Sequence, residues 1–396
     1  MRNLFVGSGL VAAVVALGIG QHVIEQRASA QMKGGAQAPR FEVDPMWPKP
    51  LPNHWLYGNV IGVGVDSRDH IFIIHRGEGN LNPKEIYATA NPPAAECCNI
   101  APPILEFDAE GNMVKAWGGP GQGFEWPESN HGITPDSKGN LWIGGNGAND
   151  GHILKFTREG KFVKQFGFAY ASAGSNDPWA FNKVAKISLD EAANEAYVAD
   201  GYGNHRVAVI DMDTGKIKRY WGAYSNKPDD TNLGRYNPEA TPAQQFRNPV
   251  HCAVPSNDGL VYVCDRPNDR IQVFDKAGKF QKEVFVQKTT LGDGSVWDIA
   301  FSRDPQQKYF YLADGANEKI HIFDRASMTE LTSFGDGGRY PGAFYAVHSI
   351  ATDSKGNIYT TETYEGKRVQ RFVYKGLAPV TKKDQGVVWP TKTTSH

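Results

Sequence analysis

The chain has 396 residues, with 42 Lys and Arg against 43 Asp and Glu, a formal net charge of −1. That balance excludes a nucleic-acid footprint built on one excess sign. A content of 40% hydrophobic and 21% charged residues excludes wholesale disorder. Glycine stands at about 11% against a usual level of about 7%, and 24 prolines accompany it. This composition points to many turns between short strands. The glycines keep no three-residue period, which excludes a collagen-like chain.

The chain opens with Met1-Arg2-Asn3 and an apolar run from Leu4 to Gly20, and Ala28-Ser29-Ala30 precede Gln31. A positive start, an apolar stretch and a small-x-small site predict a signal peptide over 1–30. An uncleaved membrane anchor is the alternative, because the run is near the lower limit for a spanning helix. No second apolar stretch is long enough to span a bilayer. A soluble mature protein, periplasmic or secreted and free of the membrane after cleavage, is therefore expected. Export permits disulfides, yet four cysteines in this length do not make a disulfide scaffold. Cys252 and Cys264 flank the turn Pro255-Ser256-Asn257-Asp258-Gly259 and are placed to face each other across a hairpin. Cys97 and Cys98 are adjacent, and three connectivities stay open.

Six segments share one pattern of short apolar strand, polar turn and second apolar strand. They begin at Ile61, His131, Ala185, His251, Asp298 and His348, at intervals of 70, 54, 66, 47 and 50 residues. Most continue into two further strand-like runs, as in HILKFT and KFVKQFG after the second. Four strands per unit, and about 40 to 50 residues per period where no loop is inserted, predict a β-propeller. The longer intervals carry insertions over 78–103 and 223–245. An open β-solenoid fits less well, because stacked coils have shorter and more regular periods. The expected architecture is an all-β, six-bladed propeller, and the short strand-turn-strand signature with Asp-x-x-Gly-Asn turns resembles the NHL-repeat family of propellers. It is expected to run over 55–376, between an N-terminal extension over 31–54 and a C-terminal tail over 377–396. The outer strand that closes the ring is expected from 41–60 or from the run RVQRFVYKG.

His131, His251 and His348 occupy one repeat position in units two, four and six. The first strand of a propeller blade lines the central channel, so equivalent positions on alternate blades are related by a threefold rotation. Three imidazoles placed this way converge on one point and leave a fourth position open, as in a catalytic zinc site. A lone histidine at a strand start is more often a core or turn residue, and His22, His54, His70, His152, His321 and His396 are read that way. Residues following the second strands share the same rim. They are His75-Arg76-Gly77, Asp200-Gly201-Tyr202-Gly203-Asn204, Asp265-Arg266, Asp314-Gly315 and Glu362-Thr363. An arginine there suits a carboxylate through paired, charge-assisted bonds, and a tyrosine beside a metal and a cation suits a general base. The alternatives are a rim ion pair for Arg76 and Arg266, and a turn aromatic for Tyr202.

Taken in order, IFIIHRGEG, FEWPESNHGITPDSKGNLWIGG, YVADGYGNHRV, FRNPVHCAVPSNDGLVYVCDRPNDRIQVF and AVHSIATDSKGNIYTTET resemble peptidyl-α-hydroxyglycine α-amidating lyase. The resemblance runs from about residue 55 to 373. It implies that His131, His251 and His348 hold a catalytic zinc and that Tyr202 is the general base. It further implies that Arg76 orients the substrate and that Arg266 lies near its carboxylate. The implied reaction cleaves the C–N bond of an α-hydroxyglycine, releasing an amide and glyoxylate. The implied partner is a small carboxylate-bearing substrate or a peptide C-terminus, met by a monomer. The sequence departs from the family's pattern in places. Asn130, Val250 and Val347 precede the three histidines where the family places proline. Ser349 stands where the family has the Asp of a calcium site, which counts against Ca2+, and Gly203 stands where a cysteine would follow the tyrosine. A metal-dependent propeller lactonase or esterase and a non-catalytic NHL binding propeller are the competing functions, since fold alone does not decide function.

Overall fold

The computed structural model describes residues 35–390 apart from Glu78 and Ala171. The expected signal peptide, His22 and His396 lie outside the described residues. Within them, six four-stranded antiparallel sheets form a six-bladed propeller. No helix among the described residues is long and apolar enough to cross a membrane.

The six expected units are the six blades. The strands of blade one are Asn59–Val65, Ile71–Arg76, Ile104–Phe107 and Met113–Trp117; those of blade two are Asn130–Pro135, Leu141–Gly145, His152–Phe156 and Phe162–Gly167. Blade three uses Val184–Asp190, Glu195–Asp200, Arg206–Asp211 and Ile217–Trp221. Blade four uses Val250–Pro255, Leu260–Asp265, Arg270–Asp275 and Phe280–Phe285, and blade five Asp298–Phe301, Tyr309–Asp314, Lys319–Asp324 and Thr329–Phe334. Blade six begins with Val347–Thr352, Ile358–Glu362 and Arg368–Pro379.

Blade six is completed from the other end of the chain. Its outermost strand is Gln37–Asp44, antiparallel to Arg368–Pro379. The stretch 31–54 is therefore not a simple extension, and the ring runs from 37 to 379 rather than from 55 to 376. The run RVQRFVYKG forms part of the third strand of this blade and not the fourth. Pairing both chain ends in one sheet closes the ring with main-chain hydrogen bonds.

The physical reason for the repeat is burial on both faces of each sheet. Second strands such as Ile71–Arg76 and Tyr309–Asp314 carry near-continuous apolar runs because each packs against a blade on either side. Six separate apolar clusters result, one per interface. Ile61, Phe72 and Ile104 of blade one meet Ile133, Leu141 and Phe156 of blade two, while Tyr359 and Val369 of blade six meet Ile71 and Ile73 of blade one. The turn at the foot of the first hairpin is fixed by an aspartate. In blade two, Asp136 Oδ1 accepts from the backbone N–H groups of Lys138 and Asn140 at 3.0 and 2.8 Å, an arrangement repeated by Asp353 with Lys355 and Asn357. Cys252 and Cys264 are opposite in register across the first hairpin of blade four and are bonded, with an S–S distance of 2.05 Å. Cys97 and Cys98 are bonded to each other.

Candidate functional site

The three histidines sit where the first strands leave the regular ladder. Register shifts fall between Val184 and Lys186, between Val250 and Cys252, and between Val347 and Ile350. In blade two the shift lies between His131 and Ile133. Such bulges re-aim side chains beside active sites, and here they turn one position per blade toward the axis. Counting from the rim pairs Asn59–Arg76, Val184–Asp200 and Val250–Asp265, this column contains Val60, His131, Ala185, His251, Trp297 and His348. The expected anchors Ile61 and Asp298 are one residue late in this column.

The ligand atoms of His131, His251 and His348 lie within 4.8 Å of one another, and all three residues are buried. Each ring is edge-on to the other two, with centroid separations of 4.8 to 5.2 Å. Blades three and five orient the histidine rings of blades two and four. His131 Nδ1 donates to the Ala185 carbonyl at 2.6 Å and His251 Nδ1 donates to the Trp297 carbonyl, each acceptor being the same column position in the next blade. That fixes the tautomer and leaves an Nε2 lone pair directed inward. Gly132 permits the approach, since a Cβ there would lie 2.7 Å from the Ala185 oxygen. Among the described residues, the His348 Nδ1 is buried without a partner.

Burial holds all three imidazoles well below their ordinary range, and Arg76, Arg266 and the neighbouring histidines push the same way. They are neutral, the form that binds metals. The Tyr202 hydroxyl lies 3.1 Å from the Nε2 atoms of both His131 and His251. One phenolic proton cannot serve two lone pairs, so the cluster has more acceptors than donors. A cation fits this donor set. The loop after the second strand of blade three delivers the tyrosine. Gly201 packs so tightly that a Cβ would meet the Val250 carbonyl at 2.0 Å, and the Tyr202 and Gly203 N–H groups bond to the Lys183 and Asn182 carbonyls.

Both expected arginines line this mouth. Arg266 Nη1 donates to the Tyr202 hydroxyl at 3.4 Å, and its guanidinium stacks 4.4 Å above Trp297. Arg76 is held by the Asn130 carbonyl at 3.0 Å and the Asn146 side chain at 2.7 Å. Among the described residues it has no ion pair, whereas Arg266 does pair with a carboxylate, that of Asp293, at 3.3 Å.

The rim carboxylates have another role. Asp200, Asp265 and Glu362 are buried and bind Arg206, Arg270 and Arg368 of the following strands at 2.7 to 2.8 Å. Asp314 binds His321, which also meets Glu330 and is raised to about 9 by these two partners against the opposing effect of burial. His75 is equally internal, lowered to about 4 by burial, and its ring bonds to Gly58 and Pro102. Of the other histidines, His70 pairs with Glu106 and His152 bonds the Glu125 carbonyl.

Sequence reasoning missed an ion pair one residue further along the channel strands. Lys186 Nζ of blade three lies 2.6 and 2.8 Å from the two carboxylate oxygens of Asp298 in blade five. Ser349 Oγ and the Ile350 N–H of blade six complete the cluster on Asp298 at 3.0 and 3.1 Å. The pair joins alternate blades, so no local motif announces it. These residues do not fit calcium, because the ammonium already neutralises the carboxylate and Ser349 adds only a hydroxyl.

No family model matches the chain. It is 28% identical over 235 residues to peptidyl-glycine alpha-amidating monooxygenase B of Xenopus laevis, covering 57% of this chain and 24% of that protein. The match thus spans about a quarter of that relative's length. It is 26% identical over 358 residues to NHL repeat-containing protein 3 of Mus musculus, covering 85% of this chain and 84% of that one. Among solved structures, a streptogramin B lyase aligns with a TM-score of 0.51 at 13% identity, over 85% of this chain and 98% of that one. The last likeness is one of fold alone.

Proposed function

We propose, for a six-bladed NHL-type propeller whose homologues include peptidylglycine alpha-amidating monooxygenase and NHL repeat-containing protein 3, a zinc-dependent carbon–nitrogen lyase activity. The substrate class is an α-hydroxyglycine-type carbinolamide, and the products are an amide and glyoxylate. The observation that carries this reading is the convergence of three buried, neutral histidines, two of them on one phenol, beside two arginines. The bonds within the cysteine pairs 97–98 and 252–264 support an exported, oxidising setting as part of the proposal.

A zinc ion held by His131, His251 and His348 would supply a Lewis acid for the substrate hydroxyl. The chain's own residues do the rest. Arg266, stacked on Trp297, takes the substrate carboxylate. Arg76 is held by Asn130 and Asn146 and orients the same small molecule from the blade-one side. Tyr202, having first given up its own proton to solvent, accepts the hydroxyl proton as the phenolate. The electron pair of the O–H bond becomes the carbonyl of glyoxylate, the C–N bond breaks, and its pair stays on nitrogen. A proton returned to that nitrogen by Tyr202 or water completes the amide. Atoms and charge balance without an oxidant.

Metal analysis tests the site first. About one zinc per chain is expected, with loss of the metal in the variant carrying His131→Ala, His251→Ala and His348→Ala. Glyoxylate release from α-hydroxyhippurate tests the chemistry. A natively folded protein that takes up no metal overturns both the lyase and the lactonase reading. Zinc binding with turnover of lactones or esters, and none of α-hydroxyhippurate, replaces the lyase with a hydrolase.

A further inference from the structure

Arg266 is not idle in this structure. Its side chain is 7% exposed, and its face is occupied by Trp297 and Tyr202. The remaining edge is taken by one residue: Nε donates to the Asp293 carbonyl at 2.9 Å, and Nη2 lies 3.3 Å from the Asp293 carboxylate. That carboxylate also accepts from the Tyr364 hydroxyl at 2.9 Å. Tyr364 follows the second strand of blade six, so the contact reaches across the rim from the loop that enters blade five.

The two ends of this bridge differ in kind. The arginine is buried, while the Asp293 side chain is 49% exposed. Asp293 is flanked by Gly292 and Gly294 at φ +70° and +73°, a backbone that tolerates rearrangement at low steric cost. A cavity of about 700 Å³ lies against the pair, lined by Arg266, Asp293, Leu291 and Tyr236 among others. A displaced carboxylate has room to move.

A substrate carboxylate and Asp293 compete for the same guanidinium edge, and two carboxylates on one site repel. A neutral ligand brings no charge to exchange for the resident one. From this geometry we infer that Asp293, steadied by Tyr364, is a latch over the carboxylate site of the mouth, held shut until a ligand carboxylate takes its place. A ligand carrying a carboxylate must displace it, whereas an ester or lactone makes no claim on that edge and leaves it in place. The inference rests on Arg266 being the carboxylate site of the proposed lyase.

Hippurate, which has the carboxylate but not the reactive hydroxyl, serves as the probe, with its methyl ester as control. Calorimetric titration of the metal-loaded protein is expected to show Asp293→Asn binding hippurate about two- to fivefold more tightly than wild type, the scale of a half-exposed ion pair. Tyr364→Phe is expected to shift it the same way by less. Affinity for the ester is expected to stay unchanged in both. In turnover of α-hydroxyhippurate the gain belongs in KM rather than kcat. Hippurate binding lost in Arg266→Gln but unaltered in Asp293→Asn overturns the latch alone. Equal tightening toward acid and ester also overturns it. No hippurate binding by wild type or Asp293→Asn removes the carboxylate role of Arg266, and the latch with it.

Discussion

The residues that follow the second strands occupy equivalent positions, yet they divide into two populations. In blades three, four and six the last strand residue turns inward and the one or two after it face the mouth, whereas in blade one the last strand residue is Arg76 itself. Asp200 is locked to Arg206 while Tyr202 meets the histidines; Asp265 is locked to Arg270 while Arg266 stacks beside them. In blade six Glu362 holds Arg368 and Tyr364 reaches Asp293. Each inner carboxylate also accepts a backbone N–H from the incoming loop, that of Asn182, Arg247 or Tyr345. It therefore fastens three segments of its blade. The difference teaches that the rim is built as a rigid inner ring of ion pairs, which positions an outer ring of chemically available groups.

If that division is right, the two populations respond to substitution in different measurements. Tyr202→Phe removes only the phenolic oxygen between His131 and His251. Glyoxylate release is expected to fall on the order of 10²- to 10⁴-fold, as for loss of a general base, with the unfolding midpoint unchanged. A variant as active as wild type ends the proposed role of Tyr202. Asp265→Ala should do the opposite. It leaves Arg270 buried and without its nearest carboxylate, at a cost of about 3–5 kcal/mol in denaturant unfolding. An Asp265→Ala protein as stable as wild type but inactive would move Asp265 into the mouth population.

Much of this was legible in the sequence, for reasons that particular residues make plain. The histidine column could be found because a repeat supplies its own register, and His131, His251 and His348 recur in it. Tyr202, Arg76 and Arg266 could be found because hairpin geometry puts strand starts and strand ends on one rim. The split between Asp265 and Arg266 could not, since a strand's last side chain and the next one differ only in direction. A signal was nevertheless present: Asp200, Asp265 and Glu362 are followed five or six residues later by Arg206, Arg270 and Arg368. The Lys186–Asp298 pair left no such trace, because its members lie two blades apart. The Gln37–Asp44 strand escaped as well, its partner being at the far end of the chain.

Asp269 is a buried carboxylate beside the inner ring that binds a serine in place of an arginine. It is buried next to the Asp265 rivet, but it faces no cation. Its Oδ1 accepts from the Ser295 N–H at 2.8 Å and from the Ser295 hydroxyl at 3.1 Å, while Oδ2 has no partner. Burial, with Asp314 and Asp265 nearby, raises it from 3.8 to about 7. The sign follows from which state holds the proton. Below about pH 4 the folded and unfolded chains both carry it. As pH rises toward 7 the unfolded chain releases it and the folded one does not, so stability is lost across that window at up to about 1.4 kcal/mol per pH unit. Asp269→Asn keeps an acceptor for Ser295 and removes the titration. Glu362 is also raised to about 7 by burial, and subtracting the unfolding curves of wild type and variant cancels its share. The difference is expected to grow in favour of Asp269→Asn from pH 4 to 7 and to level off above. A flat difference would mean that Asp269 ionises as freely in the fold as in the open chain, and that a buried carboxylate here needs no arginine to stay charged.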